Sequence, residues 1–263
     1  MLNQIIECAR MAGEAALHYF RAPASVLHAD NKFNDADIVT EADRASDAII
    51  RDYVATHFPG HAILTEESGE REGASDWRWV VDPVDGTTNF FAGIPFWSVS
   101  IAVQYKGVTR YGVVFAPALG ELFAATLGGG ATLNGRPIEC SRESKLSRSV
   151  VCTGFPVDKD RNPDCNADNF LAILPKVRDV RRLGSAALDC CYAGAGFLDA
   201  FWELALHEWD ICAGVLIASE AGCSVTTIRP DRPFSILVAP PALNTQILAL
   251  ISPEPCKKFP GKI

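Results

Sequence analysis

The chain has 263 residues, 48% hydrophobic and 21% charged, the balance of an ordinary soluble globular protein, and its length suits one large domain or two closely packed ones. A formal net charge of −8 gives no pull toward nucleic acid or an anionic membrane, although bound cations could reverse the sign locally at an anion site. No apolar run reaches the roughly 18 residues of a membrane span. Glu7, Arg10 and Glu14 interrupt the segment where a signal peptide would be uniformly apolar, and nine scattered cysteines without a C-x-x-C pair read as reduced, mostly buried thiols, so a cytoplasmic protein is expected.

Ile5, Ile6, Ala9, Ala12, Ala16, Leu17 and Phe20 recur at helical spacing and predict a first helix ending before Pro23. A polar connection over 32–37 leads to Thr40, after which Ala42, Ala45, Ile49, Ile50, Tyr53 and Val54 predict a second helix ending before Pro59-Gly60. The middle of the chain changes character. A short aromatic and β-branched run at 77–81 is followed by apolar runs at 97–104, 108–115 and 121–126, and Asn134-Gly135 marks a further tight hairpin. These runs predict an antiparallel meander, apolar on both faces and so covered by helices on at least one side. After residue 140 strand candidates at 150–153, 179–183, 198–202, 223–227 and 236–239 alternate with helical segments at 167–174, 186–194, 209–221 and 242–251, which implies an α/β half. The break divides the chain into 1–140 and 141–263, with no repeat and no low-complexity tract.

The segment with the most chemical content is Asp82-Pro83-Val84-Asp85-Gly86-Thr87. Pro83 fixes one backbone angle and Gly86 frees another, so a sharp turn is expected that lets both carboxylates face one point. Amides after Gly86 could meet an anion, and hard oxygen ligands beside them suit Mg²⁺ and phosphate. Upstream, Glu66 and Glu67 follow the apolar run 62–64; they read either as a solvated acidic loop or as additions to the same cluster. Thr40 and Asp43 fit a helix capping box, and Asp43 could alternatively take a proton through a neighbouring hydroxyl. Asp210 opens an apolar helix, where an acid complements the helix dipole. His207-Glu208 lacks the second histidine of a zinc-protease helix, since position 211 is Ile, and His207 reads as structural. Gly128-Gly129-Gly130 is not followed by Lys-Ser/Thr and reads as a loop.

Together, segments 37–43, 66–68, 79–90, 182–187 and 203–214 resemble, in order and spacing, the inositol monophosphatase family of Mg²⁺-dependent, lithium-sensitive phosphatases. The resemblance runs from the first helix to about Ala239. It implies alternating helix and sheet layers, an α+β and α/β layered sandwich with the active site between the halves. It also implies hydrolysis of a small phosphomonoester, foremost myo-inositol monophosphate to inositol and phosphate, by a metal-activated water. By position, Glu66, Asp82 and the Val84 carbonyl would hold a first metal, Asp82, Asp85 and Asp210 a second, and Glu66 would border a third, giving two or three Mg²⁺ ions. Gly86 and Thr87 would hold phosphate through their amides, Thr87 and Asp43 would orient and deprotonate the water, and Lys32 would lie nearby. Glu203 with Gly184, Ser185 and Ala186 would line the pocket for the alcohol, beside Asp85 and Asp210. A homodimer acting on a small molecule is the assembly the resemblance implies, and the acidic charge and lack of an apolar span give no expectation of a nucleic-acid or membrane partner.

The chemistry agrees with that assignment: a bound divalent metal lowers the pKa of water, and close-packed carboxylates repel one another without cations. Thr65 stands where many relatives have glycine and Cys212 where alanine is common, both small changes that leave the ligands intact. Segment 155–176 matches loosely, which leaves the alcohol open: fructose 1,6-bisphosphate, histidinol phosphate and 3′-phosphoadenosine 5′-phosphate are alternatives within the family. A non-catalytic module binding metal and sugar phosphate is the alternative of another class, against which stands the retained base, Asp43.

Overall fold

The computed structural model describes residues 1–23, 27, 30–31, 38–162, 164–229 and 231–251. Lys32 and the polar connection 32–37 lie outside the described residues.

The periodic apolar positions of the first segment form helix α1, Leu2–Tyr19, which buries Ile5, Cys8, Ala9, Ala12 and Ala16 at steps of three and four. Two short strands, β1 (Asp30–Asn31) and β2 (Ile38–Val39), pair antiparallel. Helix α2, Glu41–His57, starts at the expected cap: Ala42 N donates to Thr40 Oγ1 at 3.2 Å, and Thr40 N donates back to Asp43 Oδ2 at 2.8 Å.

The meander is an eight-stranded sheet built from β3 (Ala62–Thr65), β4 (Gly69–Arg71), β5 (Trp77–Asp85), β6 (Ser98–Tyr105), β7 (Val108–Ala116), β8 (Glu121–Thr126), β9 (Gly130–Leu133) and β10 (Arg136–Pro137). Its order is β10-β9-β8-β7-β6-β5-β3-β4, antiparallel except for the β3–β5 pair. Two features differ from expectation. Part of the acidic loop after Glu67 forms strand β4 against β3. The chain also does not turn at Pro83: β5 stays extended to Asp85, with a register shift against β6 between Asp82 and Asp85. Proline is tolerated in such a bulge because its missing N–H removes no ladder bond there. The turn comes at Gly86, where helix α3 (Thr87–Phe91) begins.

The second sheet comprises β11 (Val150–Thr153), β12 (Asp179–Arg181), β13 (Ala200–Glu203), β14 (Ser224–Arg229) and β15 (Arg232–Ala239), in the order β12-β11-β13-β15-β14. It is mixed: β11 runs parallel to β12 and β13, and β15 antiparallel to β13 and β14. Four helices accompany it: α4 (Ala167–Ile173), α5 (Ala186–Gly194), α6 (Glu208–Glu220) and α7 (Pro241–Leu248).

The layering follows from alternation along the strands. Trp79, Val81, Val99, Ile101 and Val113 face α1 and α2, while their neighbours Val80, Ala102 and Val114 face α5 and α6. The other side of α5 and α6 packs on Cys152, Phe201, Ile236 and Val238 of the second sheet, whose far face is covered by Leu243 and Ile247 of α7. Helix α6 is therefore apolar on both sides, with Ala213, Leu216 and Ile217 toward the first sheet and Ile211 and Ala218 toward the second. The cysteines described are free thiols, most of them buried. Among the described residues no helix is long and apolar enough to cross a membrane.

Because Ile217 is fully buried between the sheets, Ile217→Ala should cost about 2–5 kcal/mol, the usual range for truncating a core isoleucine. Urea unfolding followed by circular dichroism measures this, and a loss below about 1 kcal/mol would mean that the layer is loosely packed there.

Candidate active site

The site is assembled at the end of β5. Asp82 and Asp85 are both buried, and Val84 N donates to Asp82 Oδ1 at 3.0 Å, which fixes that carboxylate against the bulge that follows it. Gly86 follows with φ 92°, and a Cβ there would come within 3.1–3.3 Å of Gly184 O, Phe96 O and Ser185 Cβ, so both its conformation and its surroundings require glycine. Thr87 and Thr88, in the first turn of α3 where helix N–H groups have no acceptor inside the helix, line the adjoining cavity.

Helix α2 brings Asp43. Its Oδ2 accepts from Thr40 N and, at 2.6 Å, from Thr40 Oγ1, while its Oδ1 lies 3.2 Å from the hydroxyl of Thr87. Capping and proton acceptance are therefore not rival readings of this residue: one oxygen caps and the other faces the site. The Thr87 hydroxyl also lies 3.0 Å from Val84 O, so one proton is shared between two acceptors.

The C-terminal part is tied on by Asp85. Its carboxylate receives the Ser185 hydroxyl, Ala187 N at 2.9 Å and Ala186 N at 3.2 Å, which anchors the N-terminus of α5 to the end of β5. Asn89 Nδ2 adds a second tie, lying 2.7 Å from both Phe96 O and Leu183 O. Asp210 arrives on the first turn of α6, accepting from His207 N at 2.6 Å. That helix end is pinned to the first sheet: Arg78 reaches both Glu208 oxygens at 2.9 Å, and Gln104 Nε2 reaches Oε1 at 2.8 Å. His207 is the N-cap of α6, stacked on Trp209 with ring centroids 4.7 Å apart, and both residues line the cavity.

Glu66 follows β3, with its N–H donating to Val81 O at 3.2 Å. It joins Asp82, Asp85, Asp210, Glu203, Gly184 and Ala186 around one cavity of about 750 Å³, the size of a small-molecule site. Ser185 itself is buried behind the wall as the N-cap of α5. Three contributors have no role that their sequence context suggests. Gly154 packs against the Glu203 carboxylate, and a Cβ there would stand 2.1–2.2 Å from it. Arg182, a cation in this acidic wall, lies over Gly184. Asn89 sits inside the Asp-Gly-Thr string, but only the fold reveals its cross-tie.

The electrostatics are those of crowded acids. Burial, then Glu66, Asp85, Asp210 and Asp43, push the Asp82 carboxyl well above the usual carboxylate range. Burial also carries Asp85 from 3.8 to about 7, against the lowering effect of the Ser185 hydrogen bond. Glu203 is raised by burial and by Asp189. Among the described residues no three acid, histidine or cysteine side chains are already drawn together to ion-holding distance. Even so, the donor set is all hard oxygen, and raised carboxyls are the state that divalent cations relieve, so the residues fit Mg²⁺ by chemistry.

The sequence model of the inositol monophosphatase family matches residues 1–253. The chain belongs to the inositol monophosphatase family. It is 42% identical over 223 residues to the Nus factor SuhB of Escherichia coli, covering 84% of this chain and 83% of that one. In structure it is similar to the inositol monophosphatase of Anabaena, with 34% identity, a TM-score of 0.84 and coverage of 97% and 96% of the two chains. It is similar also to the extragenic suppressor protein SuhB of Bartonella henselae, with 34% identity, a TM-score of 0.88 and coverage of 94% and 96%. The family fold, an α/β sandwich with two mixed sheets and flanking helices, is the one described above.

The crowding has a measurable consequence. A carboxyl whose folded pKa is raised binds more protons folded than unfolded, so it stabilises the fold at low pH and loses that contribution as pH rises through the folded value. In EDTA, stability should therefore fall between the ordinary 3.8 and about 7 of Asp85, and millimolar Mg²⁺ at pH 8 should restore it. Melting temperatures across that range, with and without Mg²⁺, test this; a metal-free protein that gains stability toward pH 8 would contradict it.

Proposed function

We propose that this chain is a Mg²⁺-dependent phosphatase of small phosphomonoesters, with an inositol monophosphate as its substrate. One observation carries the reading: Glu66, Asp82, Asp85 and Asp210, gathered from distant parts of the chain, border a single cavity beside the Thr87–Asp43 hydroxyl–carboxylate pair. Apart from Arg182 the wall is acidic and would repel a phosphate dianion, a repulsion that bound cations offset. Glu66, Asp82, Asp85, Asp210 and the Val84 carbonyl are the oxygens that would hold them. Mg²⁺ at such a site supplies a water of lowered pKa and neutralises charge on the phosphoryl oxygens and the leaving alkoxide.

The protein's own groups then divide the remaining work. The N–H groups at the start of α3 hold phosphoryl oxygens, where a helix N-terminus favours negative charge. Thr87 orients the attacking water through its hydroxyl, and Asp43 Oδ1, already facing that hydroxyl, accepts the proton released. Asp85 is held rigid by α5, so the attack geometry is preorganised, which is the main requirement of phosphoryl transfer. Glu203, stationed against Gly154, accepts hydrogen bonds from hydroxyls of the alcohol, and the loop 184–186 closes the same side. A polyhydroxylated ring meets that wall better than an apolar alcohol. On this reading the segments 1–140 and 141–263 act as two halves, with the metal ligands mainly on the first and the alcohol side on the second.

The test is phosphate release from inositol monophosphates, fructose 1,6-bisphosphate, histidinol phosphate and 3′-phosphoadenosine 5′-phosphate, in Mg²⁺ and in EDTA. Turnover of the inositol esters that EDTA abolishes is expected; a strong preference for one of the other three would replace the substrate, and binding without hydrolysis would replace the activity. Asp210→Asn should lower kcat/KM by about 100-fold or more, beyond the range typical of groups one step further from a metal. Gly154→Ala should displace Glu203 and raise KM for the inositol ester about 10-fold with kcat little changed, as expected for loss of uniform binding.

A further inference from the structure

Helix α2 carries more than Asp43. Its inward stripe runs Asp43, Ser46, Asp47, Ile50, Tyr53 and Val54, all buried, at helical spacings of three and four. The half nearer the C-terminus is apolar and belongs to the core under the first sheet. The half nearer the site is polar, and each of its three side chains takes hold of a different part of the site. Asp43 faces Thr87, at 3.2 Å. Ser46 donates to Pro83 O at 2.8 Å, inside the bulge between Asp82 and Asp85. Asp47 Oδ2 receives the hydroxyl of Ser68 at 2.5 Å, in the turn that carries Glu66.

The Asp47 carboxylate is only half satisfied by that third contact. Asp47 is 5% exposed, yet Oδ1 of its carboxylate has no hydrogen-bond partner among the described residues. A buried acceptor without a donor costs stability, and an apolar side chain would fill the same stripe without that penalty. The turn it holds is also tied by Glu66 N to Val81 O at 3.2 Å and by Ser68 N to Thr65 Oγ1 at 3.0 Å. Both of these ties lie on the sheet side. The Ser68 hydroxyl links the turn to α2, and so to the helix that also fixes Thr87 and the bulge before it.

We propose that Asp47 is a positioning residue for the metal centre: through Ser68 it sets the Glu66 turn in register with the bulge between Asp82 and Asp85, so that Glu66 and Asp82 converge on the same cation. The proposal rests on the reading of Glu66 as a metal ligand. It makes Asp47 act through a neutral hydroxyl, which separates it from a simple contribution of negative charge. Removing the Ser68 hydroxyl leaves the charge of Asp47 in place and should still weaken metal binding.

The experiment is isothermal titration calorimetry of Mg²⁺ into the full-length wild-type protein, Ser68→Ala, Asp47→Ala, Asp47→Asn and the Asp47→Ala/Ser68→Ala double variant, with melting temperatures and the Mg²⁺ dependence of phosphate release measured alongside. Ser68→Ala and Asp47→Ala should each raise the Mg²⁺ dissociation constant about 10-fold, in the range seen when groups that orient metal ligands are removed. The double variant should be no worse than the weaker single one, because both remove the same contact. Asp47→Asn, which keeps an acceptor for Ser68, should recover most of the affinity, and kcat at saturating Mg²⁺ should stay within about twofold of wild type throughout. Ser68→Ala is an exposed, small change and reports on the contact even where Asp47→Ala does not fold. Wild-type affinity in Ser68→Ala would overturn the proposal, as would additive losses in the double variant or a lowered melting temperature without a change in Mg²⁺ affinity. A wild-type protein that takes up no Mg²⁺ would instead overturn the metal-site reading, and this proposal with it.

Discussion

The carboxylate of Asp85 does two structural jobs with one group. It closes β5, the strand that holds Asp82, and it caps α5 through Ser185, Ala186 and Ala187. A helix N-terminus leaves amides without partners, and a buried carboxylate needs donors; each requirement is met by the other. The pairing sets the distance between the first sheet and the pair α5–α6, and α6 carries Asp210 on its first turn. Asn89 and the Arg78–Glu208–Gln104 contacts hold the same junction on either side. The cavity lies where it does because these ties fix the facing edges of the two layers.

Gathering that many acids is unfavourable in itself. The Asp82 carboxyl is raised by burial and by four neighbouring acids, so without cations the site lowers the stability of the protein that carries it at neutral pH. The surrounding frame offsets this with apolar layers that are close to continuous: the strands beneath the site are buried on both faces, and α6 is apolar on both sides. Rigidity in the layers and electrostatic strain at their junction belong together, since a loose frame would let the carboxylates separate. A site strained in this way is completed by cations, which is the physical sense of a metal-dependent reading.

Much of this arrangement is legible in the sequence, for local reasons. Helices α1 and α2, the meander and the alternation after residue 140 follow from periodicity and turn residues, and Asp82, Asp85, Thr87, Glu66, Asp43 and Asp210 stand in short strings whose order already suggests one centre. What is not legible depends on contacts between distant segments. Pro83 and Gly86 together suggest a turn, whereas pairing with β6 keeps the strand extended to Asp85 and absorbs the proline in a bulge. The loop 66–72 reads as solvated acid because nothing local shows that β3 will recruit part of it as β4. Gly154 is one glycine among many until β11 and β13 lie side by side and Glu203 fills the space where its side chain would be.

Asp47 illustrates the limit most clearly. An aspartate in a helix normally reads as solvated, and four residues after a capping acid it attracts no notice. Its meaning changes only when the stripe it occupies is seen to be buried and its neighbours on that stripe, Asp43 and Ser46, are seen to grip the same site. A helix that ends its apolar stripe with three buried polar groups has given up core packing there, and each of the three makes one hydrogen bond to a segment that carries metal-ligand candidates. The polar half of α2 thus meets three segments that border the cavity, through Thr87, Pro83 and Ser68, and the proposed role of Asp47 follows from that one helix touching all three.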